Sequence, residues 1–216
     1  MKAIFYLPLF ILLNFSCSEA QNQKAKSEIK SENYDNQKYE RAYFASGCFW
    51  CVETIYESLK GVEEVFSGYS GGHTKNPTYE SSNTGKTGHA EAVEIIYNPE
   101  VISFSTLVDV YFGSQNVTQQ NGQGPDIGSQ YRSIIFYRNQ KEKEIIDEKI
   151  KSLSKKYNKP IAAEVKEFNI FWMAEEYHQD YKKHNPNNRY IQGVSVPRFK
   201  RFKTKFPDLL KPKTER

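Results

Sequence analysis

Three observations predict an α+β fold, a single domain in which helices flank a mixed central sheet. From residue 41 onward, strand-like and helix-like segments alternate, but the alternation is not strict. The length of 216 residues suits one domain with short extensions. Hydrophobic residues make up only 38% of the chain, yet 15 tyrosines and 14 phenylalanines supply large side chains for a core.

The individual elements follow from the apolar pattern and its interruptions. Apolar residues that alternate or run together between turn residues predict strands at 41–45, 62–69, 90–97, 130–137 and 162–168. Helical periodicity predicts helices at 48–60, 104–112, 139–157 and 174–183. Two long glycine-bearing segments, 73–88 and 115–129, remain as loops, and loops of that length in a compact domain are usually functional.

The N-terminal residues have the character of an export signal. The apolar run 3–15 is shorter than the about 20 residues that a membrane span needs, and it fits the core of a secretory signal. Ser16 and Cys17 follow directly, which resembles a bacterial lipoprotein processing site. We therefore expect an exported protein of the periplasm or cell envelope, lipidated at Cys17, with plain signal cleavage as the alternative.

The rest of the chain divides by composition. The predicted division is a signal peptide at 1–17, a flexible tether at 18–40, a folded domain at 41–210 and a polar tail at 211–216. The net charge of +4 does not by itself indicate a nucleic-acid partner, and none is expected. Much of the positive charge lies in the segment 200–206, which the charge pattern predicts to be a solvated tail.

Two of the three cysteines, Cys48 and Cys51, lie together at the start of the first predicted helix. The free N–H groups and the dipole of a helix N-terminus favour an anion, so we expect the pKa of Cys48 to fall below the about 8.5 of free cysteine. Side chains at positions i and i+3 are neighbours on a helix. The pair can therefore form a reversible disulfide, with Cys48 attacking and Cys51 resolving.

Other interpretations of the pair are open at this point. The two residues could be inert members of the core. A zinc site needs four ligands, but the chain has no second CxxC pair and its four histidines are scattered, so no metal is expected. A structural disulfide is compatible with export, although so short a loop would stabilise the fold little.

Further motifs accompany the cysteine pair along the domain. In order they are GCFW at 47–50, GYSGG at 68–72, NPTY at 76–79, TGHAE at 87–91, QGPDIGSQYRS at 123–133 and AEEYHQDY at 174–181. Together they resemble the A-type peptide methionine sulfoxide reductases over roughly residues 42–190. The resemblance implies that 41–210 is the catalytic domain, with a ferredoxin-like variant of the α+β fold and no bound cofactor. We expect a monomer.

The resemblance implies a reaction at the sulfur of methionine sulfoxide, in oxidised proteins and also free, with the S epimer as substrate. Cys48 would attack this sulfur and become a sulfenic acid, and Cys51 would then condense with it to a disulfide. An external dithiol, thioredoxin or a similar protein, would reduce the disulfide. Glu91 would be the general acid, with a pKa raised by an apolar site.

The substrate-binding residues also follow from the resemblance. Phe49 and Trp50 would form the walls of a pocket for the substrate methyl group. Tyr79 and Tyr131 would place their hydroxyl groups near the sulfoxide oxygen, and Asp126 would be the loop carboxylate near the site. Without the resemblance, these tyrosines would be read as ordinary half-buried residues and Asp126 as a turn residue.

This sequence departs from the family pattern at two places. Cys51 stands where most relatives carry glycine, and no cysteine follows Tyr190, so the resolving thiol is expected in the helix. Gln115 and Asn116 replace a His-Asp pair in a loop that is expected to line the site, which leaves room for a changed substrate preference.

Two alternative functions use the same cysteines. A thioredoxin-like disulfide oxidoreductase also has CxxC at a helix start, but it normally has small residues between the cysteines, where this chain has Phe49 and Trp50. An anchored binding lipoprotein with a structural disulfide would show no sulfoxide turnover, and its disulfide would resist mild reductants.

Overall fold

The computed structural model describes residues 34–212, and a six-stranded sheet forms its centre. Its strands are β1 (Glu40–Ala45), β2 (Val62–Ser70), β3 (Ala90–Tyr97), β6 (Ile134–Tyr137), β7 (Glu164–Glu167) and β8 (Phe171–Met173). The order across the sheet is β7-β6-β1-β3-β2-β8, and only β6 and β7 pair in parallel. A separate hairpin contains β4 (Gly122–Gln123) and β5 (Asp126–Ile127).

Six helices accompany the sheet in the described part of the chain. They are α1 (Phe49–Glu57), α2 (Tyr79–Asn83), α3 (Phe104–Gly113), α4 (Gln140–Ser154), α5 (Tyr181–His184) and α6 (Val196–Lys205). Single turns of 3-10 helix occur at Ser129–Tyr131, Glu176–His178 and Pro207–Leu209, and a π-helical turn, Ile191–Ser195, leads into α6. Within residues 34–212, no helix has the length and apolar character of a membrane span.

The chain path matches the predicted ferredoxin-like arrangement. The main elements occur along the chain in the order β1, α1, β2, β3, α3 and β6. Their four strands have the spatial order β6-β1-β3-β2, and neighbouring strands are antiparallel. This is the split βαβ arrangement, to which β7 and β8 add an edge on either side. The α+β fold with a mixed sheet is thus confirmed.

Strand β3 lies at the centre of the core, with all of its 8 residues buried. On one face of the sheet, Val93 and Ile95 pack with Phe44 beneath α1 and α3. On the other face, Ala90 and Ala92 belong to a smaller apolar cluster that is closed by aromatic side chains. Burial on both faces explains why the sequence of β3 is apolar nearly throughout.

Two of the predictions made for segments of the chain are wrong. The segment 174–183 is not one helix, because Gln179 turns inward and pairs with both backbone groups of Ser67 (2.8 and 3.0 Å), and Asp180 has a φ of 53°. The segment 200–206 is not a solvated tail, because it forms most of α6 and Phe202 is 1% exposed. The predicted strand at 130–137 begins only at Ile134, after a 3-10 turn.

The predicted tether reaches the folded domain before Glu40. Tyr34 packs edge-on against Phe66 with ring centroids 6.5 Å apart, and Tyr39 packs against Tyr34. These aromatic rings cover part of the outer face of β2 and β3. The predicted signal peptide, including Cys17, and the tether before residue 34 lie outside the described residues, as does the end of the polar tail.

A methyl group at Gly68 is expected to destabilise the fold by about 1–3 kcal/mol, as overpacking of a core does. Strand β8 approaches β2 so closely that a Cβ at Gly68 would lie 2.4 Å from the backbone oxygen of Trp172 and 2.3 Å from the Phe171 ring. Urea denaturation of Gly68→Ala measures the loss. Gly193→Ala is the matched control, since nothing lies within 4 Å of a Cβ there. Equal midpoints for both variants would contradict this close approach of β8.

Candidate active site

The site forms where β1 ends and α1 begins. Gly47 connects the two with a φ of 75°, and a Cβ at this position would lie 2.6 Å from Cβ of Gln123, so glycine is required here for both reasons. Cys48 follows as the N-cap residue of α1, as the sequence predicts. Both Cys48 and Cys51 are free thiols, 5% and 2% exposed.

The turn before Cys48 is held by two side chains from distant parts of the chain. Arg198 of α6 donates to the carbonyl oxygen (2.9 Å) and the hydroxyl (3.0 Å) of Ser46. The Ser46 hydroxyl in turn donates to Oε1 of Gln115 at 2.8 Å. Gln115 therefore supports the cysteine turn, and together with Asn116 it lines a neighbouring cavity. Their loop does reach the cysteine pocket, as expected, but through Asp126 and not through these two residues.

A pocket of about 300 Å³ opens above the N-terminus of α1. It is lined by Cys48, Phe49, Trp50, Tyr79, Glu91, Asp126, Tyr131, Asn188 and Tyr190. The first seven are all residues that the sequence predicts for the site, and they come from α1, α2, β3, β5 and the following 3-10 turn. The eighth predicted residue, Cys51, does not line the pocket, but its thiol hydrogen-bonds to that of Cys48.

Glu91 lies at the base of the pocket with only 2% of its surface exposed. Its carboxylate accepts a hydrogen bond of 3.0 Å from the backbone N–H of Phe49, the first residue of α1. Burial raises the pKa of Glu91 to about 8, and the nearby charges of Asp126 and Cys51 act in the same direction. Glu91 is therefore largely protonated at neutral pH, so the expected rise of its pKa is confirmed.

The two thiols have opposite properties, and the expectation of a lowered pKa for Cys48 is wrong. Burial, the hydrogen bond to Cys51 and the charge of Glu91 raise the pKa of Cys48. The first free N–H of the helix, that of Phe49, donates to Glu91 and is therefore not available to a Cys48 thiolate. The hydrogen bond from Cys48, aided by the positive charge of Arg198, lowers the pKa of Cys51 to about 6. Cys51 is thus the more acidic thiol of the pair.

Aromatic packing fixes the walls of the pocket. The Trp50 ring stacks on Tyr181 with centroids 3.7 Å apart, and its N–H donates to Nδ1 of His178 at 3.2 Å. Burial lowers the pKa of His178 to about 4, so the imidazole is neutral and can accept this hydrogen bond. His178 also contacts Tyr79, with ring centroids 4.6 Å apart.

The motif at 174–181 orients the second wall of the pocket. Glu175 accepts 2.9 Å hydrogen bonds from the Tyr79 backbone N–H and from the Tyr69 hydroxyl. This pair of bonds fixes the start of α2 against β2. The carboxylate of Glu175 thereby positions Tyr79 over the pocket without lining the pocket itself.

Two residues that line the pocket, Tyr190 and Asn188, were not predicted from the sequence. The Tyr190 hydroxyl donates to Asp126 at 2.6 Å and lies 3.8 Å from Sγ of Cys51. Its ring packs edge-on against Trp50. Nothing in the polar segment around Tyr190 indicates this role, because only the return of the chain past Trp50 brings it to the site.

The described residues contain one cluster of three carboxylates that could bind a metal ion, namely Glu53, Glu57 and Asp180. Lys183 forms ion pairs with Glu57 and Asp180, so its ammonium group already supplies a positive charge to this cluster. Asp180 also donates its backbone N–H to Glu53 at 2.8 Å. The cluster therefore serves to attach α5 to α1.

Comparisons with known proteins agree with this geometry. The family described as peptide methionine sulfoxide reductase matches residues 40–210. The peptide methionine sulfoxide reductase MsrA of Pasteurella multocida is 44% identical over 172 residues, covering 80% of this chain and 99% of the relative. That of Saccharolobus solfataricus is 42% identical over 172 residues, with coverage of 80% and 97%.

Solved structures show the same relationship. The reduced form of Mxr1 from Saccharomyces cerevisiae superposes with a TM-score of 0.68 at 32% identity, covering 72% of this chain and 91% of that one. Methionine sulfoxide reductase A of Corynebacterium diphtheriae has a TM-score of 0.64 at 33% identity, with coverage of 70% and 77%. These relatives do not favour a thioredoxin-like disulfide oxidoreductase. The chain belongs to the peptide methionine sulfoxide reductase family and is an oxidoreductase that reduces methionine sulfoxide.

Proposed function

We propose that this enzyme reduces the S epimer of methionine sulfoxide, in oxidised proteins and free, through a Cys48 sulfenic acid and a Cys48–Cys51 disulfide. Thioredoxin or a similar dithiol then reduces the disulfide. The observation that carries the proposal is that the Cys48 thiol and a protonated, buried Glu91 face the same pocket. The sulfoxide group needs both a sulfur nucleophile and an acid for its oxygen, and these two residues supply them.

The first chemical step uses the thiol pair and Glu91 together. Phe49 and Trp50 receive the substrate methyl group, while Tyr79 and Tyr131 donate to the sulfoxide oxygen. Cys48 passes its proton to the Cys51 thiolate and attacks the substrate sulfur as Glu91 protonates the oxygen. In the adduct, the hydroxyl oxygen moves from the substrate sulfur to the Cys48 sulfur: a sulfur–oxygen bond forms at Cys48, while the substrate sulfur–oxygen bond and the transient sulfur–sulfur bond both break, which leaves Cys48 as a sulfenic acid. Methionine leaves with two more electrons on its sulfur than the sulfoxide had.

The second step returns the enzyme to its reduced state. Cys51 attacks the Cys48 sulfur, the new sulfur–sulfur bond replaces the sulfur–oxygen bond, and water leaves. A dithiol then transfers two electrons to the disulfide by thiol–disulfide exchange and becomes oxidised itself. The position of Cys51 at N3 of α1, hydrogen-bonded to Cys48, supports this step, since little movement brings the two sulfurs together.

The epimer preference is tested with peptides that carry either the S or the R sulfoxide. Incubation with dithiothreitol is expected to convert only the S peptide to methionine, measured by mass spectrometry. The preference follows because only one epimer places methyl, oxygen and lone pair correctly between the aromatic wall, Glu91 and Cys48. Each epimer serves as the control for the other. Equal consumption of both epimers would contradict the proposal.

We also propose that the protein is an exported monomer, attached through a lipid on Cys17 to a membrane of the cell envelope. The apolar run 3–15, followed by Ser16 and Cys17, supports this proposal. In a bacterial host, labelled palmitate is expected to enter the wild-type protein and not a Cys17→Ala variant. The variant is expected to leave the membrane fraction. If the wild-type protein takes up no label, the proposal of a lipid anchor is refuted. If the protein sediments as a dimer, the proposal of a monomer is refuted.

A further inference from the structure

A second cavity, of about 360 Å³, adjoins the cysteine pocket. One of its walls is a face of α6 that carries three positive charges, those of Arg198, Arg201 and Lys205. The other walls come from the end of α3, from the loop that follows it and from the hairpin of β4 and β5. Asp126 lines both this basic cavity and the cysteine pocket, so the two meet at that residue.

The three cations of the basic cavity have no acidic partner. Among residues 34–212, none of them forms an ion pair with a carboxylate. Arg198, 8% exposed, uses three of its five N–H groups for neighbouring oxygen atoms. Lys205 donates to a backbone carbonyl at 3.0 Å, and Arg201 is exposed without a hydrogen bond to any described residue. Donors of all three side chains therefore remain available.

Hydrogen-bond donors and positive charge are both in excess around the cavity. Asp126 is the single carboxylate among the lining residues, and it already accepts a 2.6 Å hydrogen bond from the Tyr190 hydroxyl. The amide nitrogen of Gln115 is buried without an acceptor among the described residues, while its amide oxygen accepts three hydrogen bonds. Neighbouring like charges repel one another, so an anion in the cavity would relieve this repulsion and accept charge-assisted hydrogen bonds.

One lining residue makes the excess of positive charge a property of this chain. Asn116 lines the cavity at a position where the family pattern has aspartate. Both hydrogen bonds that its side chain makes, from the N–H and the hydroxyl of Thr118 (3.2 and 3.1 Å), go to Oδ1. An aspartate oxygen would accept both bonds equally well. The local structure therefore does not require a neutral side chain here, and the neutral side chain leaves the cations without a second carboxylate.

The position of the cavity indicates where its anion comes from. A polypeptide that inserts an oxidised methionine into the cysteine pocket carries its neighbouring residues across the rim, and the rim at Asp126 is shared with the basic cavity. An extended chain advances about 3.3 Å per residue, so the residues next to the methionine reach the cavity. Aspartate and glutamate bring a carboxylate, and a guanidinium group binds a carboxylate through two parallel hydrogen bonds.

We propose that the basic cavity binds an aspartate or glutamate side chain of the protein substrate, within about three residues of the oxidised methionine, and that the enzyme prefers such sites. This inference rests on the proposed function, because the occupant belongs to the polypeptide whose methionine sulfoxide is reduced. Arg201 and Lys205 are the specificity residues. Arg198 adds its charge but also holds the cysteine turn through Ser46.

The first measurement compares peptides that contain one S methionine sulfoxide and differ at a single neighbouring position. Glutamate or glutamine is placed in turn at each position up to three residues from the sulfoxide, in otherwise uncharged peptides with blocked termini. With dithiothreitol as the reductant and at low ionic strength, kcat/KM is expected to favour glutamate about threefold or more at one position at least. The difference is expected in KM and not in kcat. Added salt is expected to reduce it, because salt screens exposed charges.

Variants then assign the preference to the cavity. Arg201→Gln removes an exposed cation, and Asn116→Asp adds a carboxylate opposite α6. Each is expected to lower the glutamate-to-glutamine ratio of kcat/KM to less than about half of the wild-type ratio. Lys203→Gln is the matched control, since Lys203 is an exposed lysine of the same helix that lies over the Phe199 ring and does not line the cavity. It is expected to keep the wild-type ratio.

The outcomes separate this inference from its alternatives. A ratio near one at every position would overturn it, and so would wild-type ratios in both Arg201→Gln and Asn116→Asp. If these two variants raise KM for thioredoxin and leave the peptide ratio unchanged, the cavity binds the reductant, and the inference is again overturned. Failure of the wild-type enzyme to reduce even the glutamine peptides would instead refute the proposed function.

Discussion

A Cys48→Ser variant is expected to form no methionine, because a serine hydroxyl is too weak an acid to supply an anionic nucleophile in a buried pocket and has no sulfur to carry the oxygen. Cys51→Ser is the informative comparison. Without any reductant, it is expected to release one equivalent of methionine per enzyme and then stop with an oxygen atom on Cys48. Wild-type enzyme is expected to release the same equivalent and stop as a disulfide. Quenched samples analysed by mass spectrometry distinguish the three results.

The comparison is necessary because the pKa of Cys48 is raised by burial, whereas the hydrogen bond from Cys48 lowers the pKa of Cys51. An interpretation based on acidity alone would make Cys51 the attacking residue. Geometry decides otherwise, since the Cys48 thiol lines the pocket and the Cys51 thiol lies behind it. Methionine formation by Cys48→Ser together with its loss in Cys51→Ser would reverse the two roles.

The two cysteines also show which features of the site can be predicted from the sequence and which cannot. The position of Cys48 at a helix start follows from the glycine before it, and the register of β3 places Glu91 on the face of α1. Both are local patterns. The pKa of Cys48 depends instead on burial and on which group takes the N–H of Phe49, and these are properties of the folded chain.

The two wrong predictions of secondary structure also arise because contacts in the folded chain override the local sequence pattern. The helical pattern of 174–183 is locally reasonable, but Gln179 and Glu175 are used to hold β2 and α2 instead of following a helix face. The basic segment that becomes α6 has few aliphatic residues, and only its contact with α1 and α3 makes Phe202 a core residue. Arg198 and Tyr190 escaped prediction because their partners lie far away in the chain.

Replacement of Glu91 by glutamine is expected to reduce kcat/KM by about 10²–10⁴-fold, the usual contribution of a positioned general acid. Glutamine has nearly the same shape and can still accept the hydrogen bond from the Phe49 N–H, so the loss reports on the proton and not on the fold. In the wild-type enzyme, kcat/KM is expected to fall as the pH rises through about 8, because Glu91 is then ionised. Glu91→Gln is expected to lack that limb of the pH profile.

A control substitution on the same strand separates this effect from a general loss of structure. Glu94 is 5% exposed and accepts a 2.8 Å hydrogen bond from the Tyr43 hydroxyl on the opposite face from the pocket. Glu94→Gln is expected to retain the wild-type pH profile. A pH profile of Glu91→Gln that still falls near pH 8 would assign that limb to another group and would remove Glu91 as the acid.

The same proton links activity to stability. The pKa of Glu91 rises from an ordinary 4.5 to about 8 on folding, so between these pH values the native state holds a proton that the unfolded chain releases. The free energy of unfolding therefore contains a contribution from Glu91 that decreases as the pH rises through this interval. Glutamine never ionises, so above pH 8 the Glu91→Gln variant is expected to be at least as stable as the wild type in urea denaturation. A variant that is less active and yet no less stable is the result expected if Glu91 is retained for proton transfer and not for packing.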